Sequence, residues 1–120
     1  MAFTFKVRKP ITPMSIQSDG TYWYVACDDG KILKITISNN TTATLQSFIG
    51  RKINCLVSDA TYLYCGMADG ALEKVKIADG VVTNLEPRSK ARYNLIAIHY
   101  TTTTLYLTTS DGRILSRATT

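Results

Sequence analysis

The sequence is short of the residues from which metal centres, membrane spans and catalytic clusters are made. It has one histidine, His99, and three cysteines, Cys27, Cys55 and Cys65, without metal-ligand spacing. An isolated histidine with no cysteine or carboxylate beside it in sequence reads first as a hydrogen-bonded structural residue, and a metal or proton-transfer site as the lesser alternative. The odd cysteine count argues against a disulfide framework. Cys55 and Cys65 fall nearly opposite one another in a hairpin alignment, so a cross-strand bridge is conceivable, but buried free thiols are the better expectation. No apolar run approaches the ~20 residues of a membrane-spanning helix, and the residues after Met1 lack a signal-peptide core. The expected location is therefore the compartment of synthesis, the cytoplasm, with the mature chain starting near Met1.

Helical periodicity is missing as well. Pro, Gly, Asn, Asp and Thr clusters interrupt the chain at short intervals, and β-branched and aromatic residues fill the gaps, as strands prefer. No phosphate loop, nucleophile–base pairing or carboxylate dyad emerges, and the loops are too short for catalytic insertions. A non-enzymatic protein without a cofactor is expected.

What the chain does contain is a repeat. Asp29-Gly30, Asp69-Gly70 and Asp111-Gly112 recur every ~40 residues, a spacing typical of blade or trefoil arrays. Each pair follows a tyrosine (Tyr24, Tyr64, Tyr106) and precedes an apolar, β-branched run. Ile16, Leu56 and Ile98 hold equivalent places upstream. At 120 residues, with 45% hydrophobic and 19% charged residues, the chain reads as one folded domain, 1–120.

The second repeat resolves into four strands: Ile53–Ser58, Tyr62–Met67, Leu72–Ile77 and Val81–Leu85. Asp59-Ala60, Asp69-Gly70 and Asp79-Gly80 turn the chain between them. Asp19-Gly20 is the stronger hairpin signal in the first repeat because glycine tolerates positive φ. Thr42–Phe48 follows the Ser38-Asn39-Asn40 turn as that repeat's fourth strand. The third repeat ends after Arg113–Ala118, leaving no fourth strand. The alternating segment Phe3-Thr4-Phe5-Lys6-Val7, separated from the first repeat by Pro10 and Pro13, is a spare strand (2–8) suited to complete it.

Tyr62-Leu63-Tyr64-Cys65-Gly66, Asp69-Gly70, Leu72 to Ile77 and Asp79-Gly80 resemble β-propeller blades of the pyrroloquinoline-quinone-like and YVTN types. The resemblance spans nearly the whole chain and implies three four-stranded blades, about 14–48, 53–86 and 94–119. The Trp-Asp dipeptide of WD40 blades is absent, and no cofactor residues of the quinoprotein dehydrogenases carry over. Propellers close with ~4–8 blades, so three would leave apolar sheet faces bare. The expectation is a six-bladed homodimer about a two-fold axis, with the N-terminal strand crossing to the partner's third blade. A monomeric β-trefoil is the rival fold; the chain lacks the Gln-x-Trp motif of trefoil lectins.

The net charge is +5. Half of the basic side chains lie in the fourth-to-first-strand connections: Arg8 and Lys9, Arg51 and Lys52, then Arg88, Lys90 and Arg92. Tyr93 sits among the last group, placed to stack on a base or sugar or to fill packing space. Such a face would bind phosphate, nucleic acid or acidic glycan with salt-sensitive affinity. The competing reading is a set of solvated loop charges neutralised by Asp28, Asp29, Asp69 and Asp111. Tyr22-Trp23-Tyr24 offers a carbohydrate platform, against the simpler reading of inter-blade packing. Three functional expectations follow: a binding scaffold for an acidic partner, a lectin-like module, and a structural component of a larger assembly such as a virion.

Overall fold

The turn residues and β-branched runs generate strands throughout the computed structural model, which describes residues 12–87 and 94–119. Among the described residues there are eleven strands and no helix. The first sheet holds β1 (Pro13–Ser18), β2 (Tyr22–Cys27), β3 (Lys31–Thr36) and β4 (Thr42–Ser47). The second holds β5 (Ile53–Ser58), β6 (Tyr62–Met67), β7 (Leu72–Lys76) and β8 (Val82–Glu86). The third holds β9 (Leu95–Tyr100), β10 (Thr104–Thr109) and β11 (Ile114–Ala118). Every ladder is antiparallel and joins consecutive strands of one repeat. The spare strand expected at 2–8 lies outside the described residues, and β11 is a sheet edge among those described.

The sheets stack face to face. β5 packs against both β1 and β9, so the first strands of the repeats gather on one side of the stack. Between the first and second sheets lie Tyr24, Ala26, Ile32, Leu56, Leu63, Cys65 and Val75. Between the second and third lie Tyr64, Leu72, Leu85, Leu95, Leu105 and Leu107. The period-two alternation of each strand thus feeds two separate cores, one on each side of the middle sheet.

One aspartate organises each of the first two repeats. Asp19 Oδ1 accepts the Thr21 and Tyr22 amides at 2.9 and 2.8 Å, and its Oδ2 accepts the Tyr24 hydroxyl at 2.8 Å. Asp59 does the same for Thr61, Tyr62 and the Tyr64 hydroxyl, the last at 2.6 Å. Burial alone would raise both carboxyls, but these bonds hold them below their ordinary value. Burial, and then the aspartate partner, push the Tyr24 and Tyr64 phenols well up. A buried ring therefore keeps its polar tip satisfied.

The three cysteines are free and buried. The hairpin register that runs from Ser58–Leu63 sets Cys55 opposite Gly66, while Cys65 faces Leu56 on the adjacent rung. Neighbouring rungs point to opposite faces, and Cys65 lies in the core shared with the first sheet.

Candidate binding face

Three loop pairs converge at one end of the sheets. The Asp28, Ala68 and Ser110 amides donate to the carbonyls of Thr12, Lys52 and Asn94, each at 2.9 Å. In every repeat, the segment entering the first strand is thereby tied to the segment carrying the Asp-Gly turn. The β4–β5 connection is held further: the Phe48 amide donates to Gly30 O at 2.7 Å, and the Arg51 amide to Phe48 O at 3.0 Å. Gly30 has φ +92°, and a Cβ there would drive into the carbonyl oxygens of Phe48 and Arg51. Only glycine lets these loops close on each other.

The landmark aspartates each meet a cation. Asp29 lies 3.9 Å from Lys31, Asp69 2.8 Å from Arg51 and Asp111 3.0 Å from Arg113. Asp28 instead accepts the Thr12 amide at 2.8 Å. Among the described residues, Asp69 is the one of the four acids expected to offset the basic loops that pairs with a cation of those loops. Asp29 and Asp111 pair with Lys31 and Arg113, within their own turns.

Arg51 is built into the protein. Its Nε donates to Asp69 Oδ2 and its Nη1 to Glu73 Oε2, both at 2.8 Å, while the guanidinium lies 5.5 Å from the Phe48 ring centroid. Glu73 is buried in β7, and its other oxygen accepts Asn84 Nδ2 at 2.7 Å. Burial would weaken the guanidinium's hold on its proton, and the two carboxylates reverse that effect. Two carboxylates thus face the Arg51 guanidinium. Lys52 beside it is exposed, as is Ile49, and together with Arg51 and Asp69 they border a shallow depression. The remaining expected binding residues, Arg8, Lys9, Arg88, Lys90, Arg92 and Tyr93, lie outside the described residues.

Sequence reasoning missed Glu73 and Asn84. A signal existed: Glu73 occupies the strand position held by Leu33 and Leu115 in the other repeats, and an acid at an apolar position needs a partner. A second cleft opens between the second and third sheets, floored by Leu95 and Leu107. At its edge Arg117 bonds Leu85 O at 2.7 Å and Glu86 at 2.9 Å.

The aromatic cluster serves packing. Tyr24 is buried in the core, Lys34 Nζ stands 4.1 Å over the Tyr22 ring, and Trp23 packs with Val25, Cys27 and Ile35. His99 is exposed on β9, opposite Tyr106 in register. No group of three or more His, Cys, Asp or Glu with metal-binding proximity occurs among the described residues.

These observations define an all-β repeat protein of stacked antiparallel sheets. No family model matches the chain, and no curated protein does. Among solved structures it is similar to the computationally designed Ika4 protein, with a TM-score of 0.72 and 15% identity over 86% of this chain. The computationally designed Ika8 protein aligns with a TM-score of 0.71 and 16% identity, again over 86% of this chain. The chain spans 63% of the first and 32% of the second, less than two thirds of either.

Proposed function

We propose that the chain is a non-catalytic binding scaffold of the β-propeller type, closing as a six-bladed ring with a second copy and using its basic loop face to hold an anionic partner. The propeller reading is supported by ladders that stay within one repeat; a trefoil barrel needs ladders that cross between repeats to close. It is supported too by the gathered first strands β1, β5 and β9. The matched stretch fills half as large a share of one designed chain as of the other, as expected of a unit that recurs in arrays of different length.

The observation that carries the binding role is the convergence of the three tied loop pairs on one end, where Lys52 is exposed, together with the basic character of the fourth-to-first-strand connections in the sequence. The partner class is a phosphate-bearing ligand, a nucleic acid or an acidic glycan, bound chiefly by charge. Arg51 is committed to Asp69 and Glu73, so the contacts fall to Lys52 and the loop cations that flank the other repeats.

Retention on immobilised heparin, across a salt series, tests the proposal. Replacing Lys52, Arg88, Lys90 and Arg92 by glutamate should abolish retention and flatten its salt dependence. Unchanged elution of that folded variant removes the anion-binding role.

A further inference from the structure

The two ends of the stack differ from its interior in a way that repeat equivalence makes explicit. Tyr24 and Ile32 on the first sheet, and Tyr64 and Leu72 on the second, face the following sheet and are at most 1% exposed. Their equivalents on the third sheet are Tyr106 and Ile114, exposed by 45% and 77%. The opposite end shows the reverse at one residue, while Val25 and Ile35 on that face are buried. Leu56 faces the preceding sheet and is 3% exposed, whereas its first-sheet equivalent Ile16 is 52% exposed. Ile16 lies opposite Val25 in register, on the outer face of the first sheet. One end therefore presents the residues that receive a following sheet, and the other presents the residue that would insert.

We propose that these two faces are the mating surfaces for a second copy of this chain: the outer face of the third sheet, with Ile96, Tyr106 and Ile114, takes the Ile16 face of the partner's first sheet. The proposal rests on the ring reading above and specifies its contacts. The occupant follows from continuity with an interface that the chain already makes twice within itself, between first and second sheets and between second and third. Bonds from side chain to backbone cross both internal interfaces, Gln46 Nε2 to Gly80 O at 2.8 Å and Asn54 Nδ2 to Leu95 O at 2.9 Å. At the free end Ile96 replaces Asn54, so this contact is drier than the internal ones. On the inserting first sheet, Val25, Cys27 and Ile35 are already buried, with Trp23 and Leu33 beside them. Ile16 is thus the projecting contact on that face. The arrangement is head to tail, and two copies close it with both ends used.

The test is native mass by light scattering across a concentration series of the full chain. The wild type should run at twice its 13.3 kDa. Ile16→Asp and Ile114→Asp should each weaken association by about tenfold or more. Both sites are exposed within the chain, so folding should survive; Ile16→Ser and Tyr106→Ser supply milder versions. A mixture of the Ile16→Asp and Ile114→Asp proteins should associate more tightly than either alone, because each contributes its intact end to one interface. A monomeric wild type overturns the proposal. So does an Ile16→Asp protein that associates normally while Ile114→Asp does not, which would mean that the third sheet pairs with itself. Heparin retention of the wild type separates this from the loop-face reading: anion binding without association overturns the mating surface alone, and association without anion binding overturns the loop face alone.

Discussion

The second and third repeats follow one pattern and reach different degrees of burial. In the second, Tyr64 is buried and its hydroxyl bonded to Asp59, and its ring stacks 5.9 Å from Tyr100 of the next sheet. In the third, Thr101 stands where that aspartate would be and donates to the Thr104 carbonyl, while Tyr106 is exposed. Leu72 is fully buried and its equivalent Ile114 is not. The difference teaches that a sheet of this stack finishes its core only when a neighbour covers each face. Local propensity makes the strands; packing between repeats makes the stability.

Truncating the equivalent pair should break this comparison most sharply. Leu72→Ala should cost about 3 kcal/mol through lost burial and a residual cavity, whereas Ile114→Ala in dilute solution should cost about 0.5 kcal/mol or less, as for a surface site. Denaturant titration of both variants checks the contrast.

The aspartate difference should come next. Asp59→Ala orphans the buried Tyr64 hydroxyl and two turn amides and should cost about 2 kcal/mol; Thr101→Ala should be close to neutral. The same bonds set a pH dependence. Asp19 and Asp59 have lowered folded values, so their contribution is present above the unfolded carboxylate range of about 3.9 and is lost as pH falls below it. Acid unfolding followed by circular dichroism should show a shallower decline for Asp59→Asn below about pH 4 than for the wild type.

The smallest expected effect is a gain. Ala60 holds φ +80° where the first repeat has Gly20 at +90°. Left-handed backbone costs an alanine roughly 1 kcal/mol, so Ala60→Gly should stabilise the chain by up to about 1 kcal/mol, part of it offset by the freer unfolded chain. A small rise in thermal midpoint is the readout.

Strand positions were largely legible because Asp-Gly turns and aromatic runs act locally. β5 and β6 span Ile53–Ser58 and Tyr62–Met67 as the residues suggest. β7 stops at Lys76, short of Ile77, and β8 runs from Val82 to Glu86, one residue later than expected. Arg113 falls outside β11. Boundaries slip where turn hydrogen bonds, such as the Ile77 amide to Thr61 O at 2.9 Å, claim a terminal residue. The site was less legible. Asp69 was among the acids expected to offset the basic loops, but its pairing with Arg51 in particular, and the reach of Glu73, exist only through folding. The one-rung separation of Cys55 from Cys65 follows from the hairpin register set at the Asp59-Ala60 turn, and sequence alone places the two only to within about one residue.

Solvent accessibility of the two equivalent tyrosines, read by hydroxyl-radical footprinting over a range of protein concentration, tests the account most directly. Tyr64 should stay protected throughout, and Tyr106 should become protected as concentration rises and a second copy covers the third sheet. Equal labelling of Tyr106 at every concentration would contradict it.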